Sequence, residues 1–132
     1  MVFSDLIKKK NRLRKNIGDL RNILRKANYK DADKILSEIY NIADEYRNVL
    51  VKIDQINRDA VLTIESNSMD LSTAVIIKKS IMSKIDLLSD LIENDNYDVM
   101  DRLGYIEKRN REIESLDLLN FHMRSLEMTL EI

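Results

Sequence analysis

Few residues in this chain have the chemistry to act on a substrate. There is one histidine, His122, and no cysteine. Thiolate catalysis, disulfides and cysteine-bound metal are therefore excluded. On a helix, the metal-competent neighbours of His122 would stand three or four residues away. Those positions hold Leu118, Leu119, Ser125 and Leu126, so the Glu-x-x-His pairs of di-iron bundles are missing. The two glycines, Gly18 and Gly104, are isolated and cannot form a phosphate-cradling loop, a nucleophile elbow or a dinucleotide fingerprint. Asp95, Asp98 and Asp101 crowd one stretch and could gather a hard cation. They lack the glycine and distal glutamate of a calcium hand, so the favoured reading is a solvated loop with a helix cap. Glu107, Glu112 and Glu114 alternate with Lys108, Arg109 and Arg111 as on a salt-laced exposed face. No catalytic dyad stands out, and the expectation is a non-enzymatic protein without cofactor or metal.

Charge offers the second lead. Residues 1–30 carry ten Lys/Arg against two acids, and the rest carries twelve against twenty-one. Lys8, Lys9, Lys10, Arg12, Arg14, Lys15, Arg21, Arg25 and Lys26 could bind nucleic acid through phosphate contacts. Alternatively, the basic segment packs beside acidic ones in the same fold. Arg14 and Arg21 form a seven-residue column, and Asp31, Glu38 and Glu45 form an acidic one. Opposite charges flanking apolar seams are how paired helices choose partners.

The elements that position these residues read as helices throughout. The chain has 132 residues, no proline and 34 % charged side chains, which suits one domain of long helices with solvated faces. Phe3, Leu6, Leu13, Ile17, Leu20, Leu24 and Ala27 follow alternating steps of three and four, broken only at Lys10. This predicts a first helix over about 4–28, capped by Ser4 or Asp5. After a turn at Asn28-Tyr29-Lys30, a second helix starts at Asp31 or Asp33 and runs to about Asn57. Its stripe is Ile35, Ile39, Ile42, Tyr46, Val49, Ile53 and Ile56, widened by Leu36, Ala43 and Leu50. Val61-Leu62-Thr63-Ile64 is β-branched, and Glu65-Ser66-Asn67-Ser68 reads as a turn, so residues 60–71 form short strands or an ordered connector. A third helix starts at Asp70 or Ser72 and ends near Asn94, with Val75, Ile81, Ile85 and Leu88 on its face.

A fourth helix starts near Asp98 and is expected to be the longest, overhanging the others. Val99, Leu103, Ile106, Ile113 and Leu116 mark its seam, with Asn110 in an apolar slot. A single buried Asn can set register or oligomer number. Beyond Leu116 the apolar residues Leu119, Met123, Leu126 and Leu130 shift in phase, and a seam that changes phase often changes partner. The expectation is that Asn110, Leu119, Met123, Leu126 and Leu130 form an oligomer interface, or that the last residues reach the far end of helix one. The predicted fold class is all-α: an antiparallel helical bundle or coiled coil of about four helices, one domain over 1–132, in a cytoplasmic homo-oligomer. No charge-free run is long enough to span a bilayer.

Several of these residues also resemble a known family. Ile56-Asn57-Arg58, then Thr63, then Leu71-Ser72-Thr73-Ala74 is similar to the Ile-Asn-Arg, Thr, Leu-Thr-x-Ala series of the septicolysin-like group of small bacterial proteins. Asp98-Val99, Arg111-Glu112-Ile113 and Leu116-Asp117 extend the likeness, as does the opening Ser4-Asp5-Leu6. The expected Asn-Trp pair near the end is replaced by Arg124-Ser125. The resemblance implies a helical protein without an assigned molecular role. A cytolysin-like membrane activity is implied only by the family's name.

Overall fold

The structure, a computed structural model, describes residues Met1 to Ile132. Its elements in order are helix α1 (Phe3–Lys26), helix α2 (Tyr29–Asp59), strands β1 (Val61–Ile64) and β2 (Asn67–Asp70), helix α3 (Leu71–Glu93) and helix α4 (Val99–Thr129). The chain is thus all-α apart from one β connector. Its contacts group into two compact units, residues 1–57 with 127–132, and residues 58–126.

In the first unit α1 and α2 form an antiparallel hairpin. The seam of α1 follows the sequence periodicity: Phe3, Leu6 and Leu13 are buried, and Ile17, Leu20, Leu24 and Ala27 are half-buried. Lys10 occupies the seam slot between Leu6 and Leu13 and is itself half-buried. Asp5, not Ser4, closes the helix start, where its carboxylate accepts the N–H of Val2 at 3.0 Å. The turn to α2 is shorter than its polar residues suggest. Asn28 Oδ1 accepts the N–H of Asp31 at 3.0 Å, so Asn28 caps α2 and the helix begins at Tyr29. The C-terminal residues return to the start of α1. Phe3 N–H donates to the carbonyl of Leu130 at 2.8 Å, and Ile132 N–H to the carbonyl of Met1 at 3.1 Å. Helix α4 is not the single longest helix, since α2 and α4 both have 31 residues, and the residues after it are tied to the start of α1.

The second unit is built around the start of α3. Strands β1 and β2 pair antiparallel, Val61 opposite Asp70 and Ile64 opposite Asn67. A two-stranded ribbon is marginal alone; here both strands lie against α3. Leu62, Leu71 and Ala74 are almost fully buried. Thr63 Oγ1 and Ser68 Oγ lie 3.0 Å apart across the ribbon, and Leu71 N–H donates to the carbonyl of Ala60 at 3.1 Å. Asp70 caps α3, its carboxylate accepting the N–H of Thr73 at 2.6 Å. The backbone N–H and the hydroxyl of Thr73 hold the Asp70 carboxyl below the usual aspartate range. Because the folded value is depressed, this cap contributes stability above the ordinary aspartate pKa and loses it as pH falls toward the folded value. Thr63 thus links the two strands, while Leu71 and Ala74 pack at the point where the ribbon meets α3.

Helices α3 and α4 run antiparallel, joined by residues 94–98. Asp98 Oδ1 accepts the N–H of Asp101 at 2.8 Å and starts α4. Gly18 and Gly104 lie inside helices with nothing within 4 Å of where a Cβ would stand, and neither has a positive φ. Each lowers helix stability with no steric reason for its presence. Gly18→Ala and Gly104→Ala are each expected to raise unfolding free energy by about 1 kcal/mol, read as a higher urea midpoint at unchanged slope. A lower midpoint for either would show that the glycine serves a conformation other than this helix.

Candidate functional site

The sequence offered two sets of residues, and the structure places them differently. On α1, Lys8, Arg12, Arg14, Lys15, Arg21, Arg25 and Lys26 are exposed. None of these seven is ion-paired. Lys9 is paired, its Nζ lying 3.1 Å from Glu45 Oε1 on α2. That contact identifies which flank of α1 faces the acidic column of α2. It is the flank of Lys9, Asn16 and Ile23, which repeats every seven residues and carries one charge. Arg14 and Arg21 lie on the other flank of the seam, so the expected pairing of their column with Asp31, Glu38 and Glu45 does not form. Lys15, Arg21 and Arg25 instead border a shallow surface depression with Gly18, Asp19 and Asn22.

On α4 the seam itself differs from the expected one. The inward stripe runs through Arg102, Tyr105, Arg109, Glu112, Leu116, Leu119, Met123, Leu126 and Leu130, with Ile106 of the expected seam, Asn120, His122 and Glu127 half-buried beside it. The stripe alternates steps of three and four without a break, so there is no change of phase. Following apolar residues alone traced the wrong stripe in the first half, where the inward slots hold two arginines and a glutamate. Val99 is 70 % exposed, Leu103 49 % and Ile113 37 %. Asn110 is exposed and occupies no seam slot. Leu119 and Met123 are 4 % and 8 % exposed, so they offer no surface to a second chain; Leu126 and Leu130 are half-buried. The apolar row expected to cover a neighbour is already covered within the chain.

The remaining polar groups have local roles. Asp95 pairs with Arg102 at 3.3 Å, and Arg102 Nη2 also donates to the carbonyl of Asn94 at 2.9 Å. Tyr97 meets Tyr105 edge-on, ring centres 5.6 Å apart. His122 is half-buried, edge-on to Phe121 at 5.5 Å.

One concave feature escaped the sequence reading. Lys84, Leu87 and Leu88 of α3 face Lys108, Arg111 and Glu112 of α4 across an open depression. One turn toward the ribbon, Ile77 and Ile81 face Ser115, Leu118 and Leu119 across a second one, closed at its end by Ile64, Glu65, Asn67 and Met69. Ile81 to Lys84 and Glu112 to Ser115 are single helical steps, so the two are successive turns of one furrow. Its signal in the sequence is the three- and four-residue spacing of these residues, legible only once the inward stripe of α4 is known.

Comparison with protein-family models, curated proteins and solved structures finds no match to this chain.

The arginines in the α4 seam carry a cost. Arg109 reaches Ser89 Oγ at 3.4 Å, while its buried Nε has no partner. Arg109→Met keeps a long stem in the slot and removes the unpaired donor. It is expected to raise stability by about 1 kcal/mol in denaturant titration. Destabilisation would mean that the guanidinium has a partner that matters.

Proposed function

We propose that this chain is a non-enzymatic helical assembly module that associates with further copies of itself. The observation that carries this reading is the apolar side chains on the outer faces of α3 and α4. Leu87, Val99, Met100, Leu103, Leu118 and Phe121 are all exposed, several by more than half. Scattered exposed apolar residues are normal, but so many large ones on two neighbouring helices favour a covering partner. Of the residues that resemble the septicolysin-like group, Thr63 and Leu71 to Ala74 lie in the ribbon and at the start of α3, which supports a structural role for that part of the resemblance. No helix is long and apolar enough to cross a membrane, and the reading needs no membrane; it has the protein act in the cytoplasm. Sedimentation of the intact chain is expected to give a species larger than the monomer that grows with concentration. A strict monomer up to hundreds of micromolar overturns the proposal.

A second reading, nucleic-acid binding through α1, is favoured by a separate observation: seven exposed cations on that helix lack acidic partners. Such a face attracts phosphate by releasing counterions, so its affinity falls steeply with salt. Arg12→Glu combined with Lys15→Glu is expected to weaken binding of a labelled duplex at low salt by at least about tenfold, through two lost phosphate contacts. No mobility shift of the native chain at low salt ends this reading.

A further inference from the structure

We infer that the furrow between α3 and α4 receives the α3–α4 turn of a second copy of this chain. The inference rests on the assembly reading above and names the surfaces that meet. The furrow has a cationic end and an apolar end. Lys84, Lys108 and Arg111 rim the first, with Glu112 the one acid among the lining residues. None of the three cations is ion-paired; Lys108 Nζ merely lies 5.8 Å from the Tyr105 ring. Leu87 is 61 % exposed there and Leu118 44 % exposed toward the apolar end.

The turn carries the complement. Glu93, Asp95, Asp98 and Asp101 lie within nine residues, with one cation, Arg102, already bound to Asp95. The exposed Val99, Met100 and Leu103 stand beside them. Asp95 is held by Arg102 and Asp98 caps α4, so Glu93 and Asp101 are the carboxylates left to flank these apolar groups, and they match apolar groups flanked by unpaired cations on the other surface. Each charge alone is worth little in water, but complementary potentials select the partner and orient it. A chain cannot satisfy its own furrow in this way. Helix α4 is continuous from Val99 to Thr129, so the turn at its start cannot fold back onto Lys108 and Arg111 further along the same helix. Turn and furrow are different surfaces, so two copies related by a two-fold axis fill each other's furrows, whereas a head-to-tail pair leaves one turn and one furrow free and propagates into a ring or a filament.

The test reverses the charges on each surface separately in the full chain. One variant carries Lys84→Glu and Lys108→Glu, the other Glu93→Lys and Asp101→Lys; circular dichroism checks that both keep their helices. Each alone is expected to associate at least about tenfold more weakly than the native chain, because like charges now face each other. Mixed together, the basic turn of the second variant fits the acidic furrow of the first and the acidic turn of the first fits the basic furrow of the second, so association is restored to about the native level with the two variants alternating. If both variants assemble as the native chain does, the furrow is not the interface, although the assembly reading stands. If the native chain itself remains monomeric, both fail. Should either variant lose its helices, Leu87→Cys mixed with Met100→Cys decides the matter in a chain otherwise free of cysteine. A disulfide between the two variants, absent when each is oxidised alone, supports the inference. Equal cross-linking in all samples, or none, overturns it.

Discussion

A helix turns once in about 3.6 residues, so it can present a neighbour with only one stripe of side chains, and an unbroken helix cannot reset that stripe midway. In α4 the second half sets the phase. Leu116, Leu119, Met123, Leu126 and Leu130 follow alternating steps of three and four, and two of them are buried. Carried backward through a helix without proline, the same steps land on Glu112, Arg109, Tyr105 and Arg102. The polar side chains of the first half are turned inward by a stripe that the apolar second half imposes. Val99, Leu103 and Ile113 are turned outward for the same reason.

Both exposed surfaces of interest follow from this constraint. In α1 the apolar stripe is nearly complete, so all but two of the nine cations from Lys8 to Lys26 lie at the surface. In α4 the stripe is partly polar, so apolar residues lie at the surface instead. The inward arginines are partly satisfied by hydrogen bonds to Asn94, Asp95 and Ser89, yet each leaves its Nε unpaired. Burying such donors is unfavourable unless something else is gained. The proposed gain is an outward apolar face beside an acidic turn.

The ribbon is the other fixed point. Glu65 at its tip has a φ of 58°, in the left-handed region where glycine is usual. The two-residue reversal keeps Leu62 over α3, where Leu71 and Ala74 leave almost no space. A side chain larger than alanine at 74 would meet this packing directly.

Much of the architecture was legible in the residues themselves. The stripes of α1 and α2, the β-branched Val61 to Ile64, and the caps Asp70 and Asp98 declare themselves through periodicity and local hydrogen bonding, which act over a few residues. The inward face of α4 was not legible by apolar content, because half of its inward slots are polar. Only packing against α3 showed that the helix follows the phase of its C-terminal half. Likewise, the basic and acidic columns were readable as columns, but their pairing was not. Which flank of α1 meets α2 depends on how the two helices are rotated about their shared seam, and the Lys9–Glu45 contact records that rotation. The furrow belongs to the same class. Its residues come from two helices and a ribbon, and only tertiary packing brings them side by side.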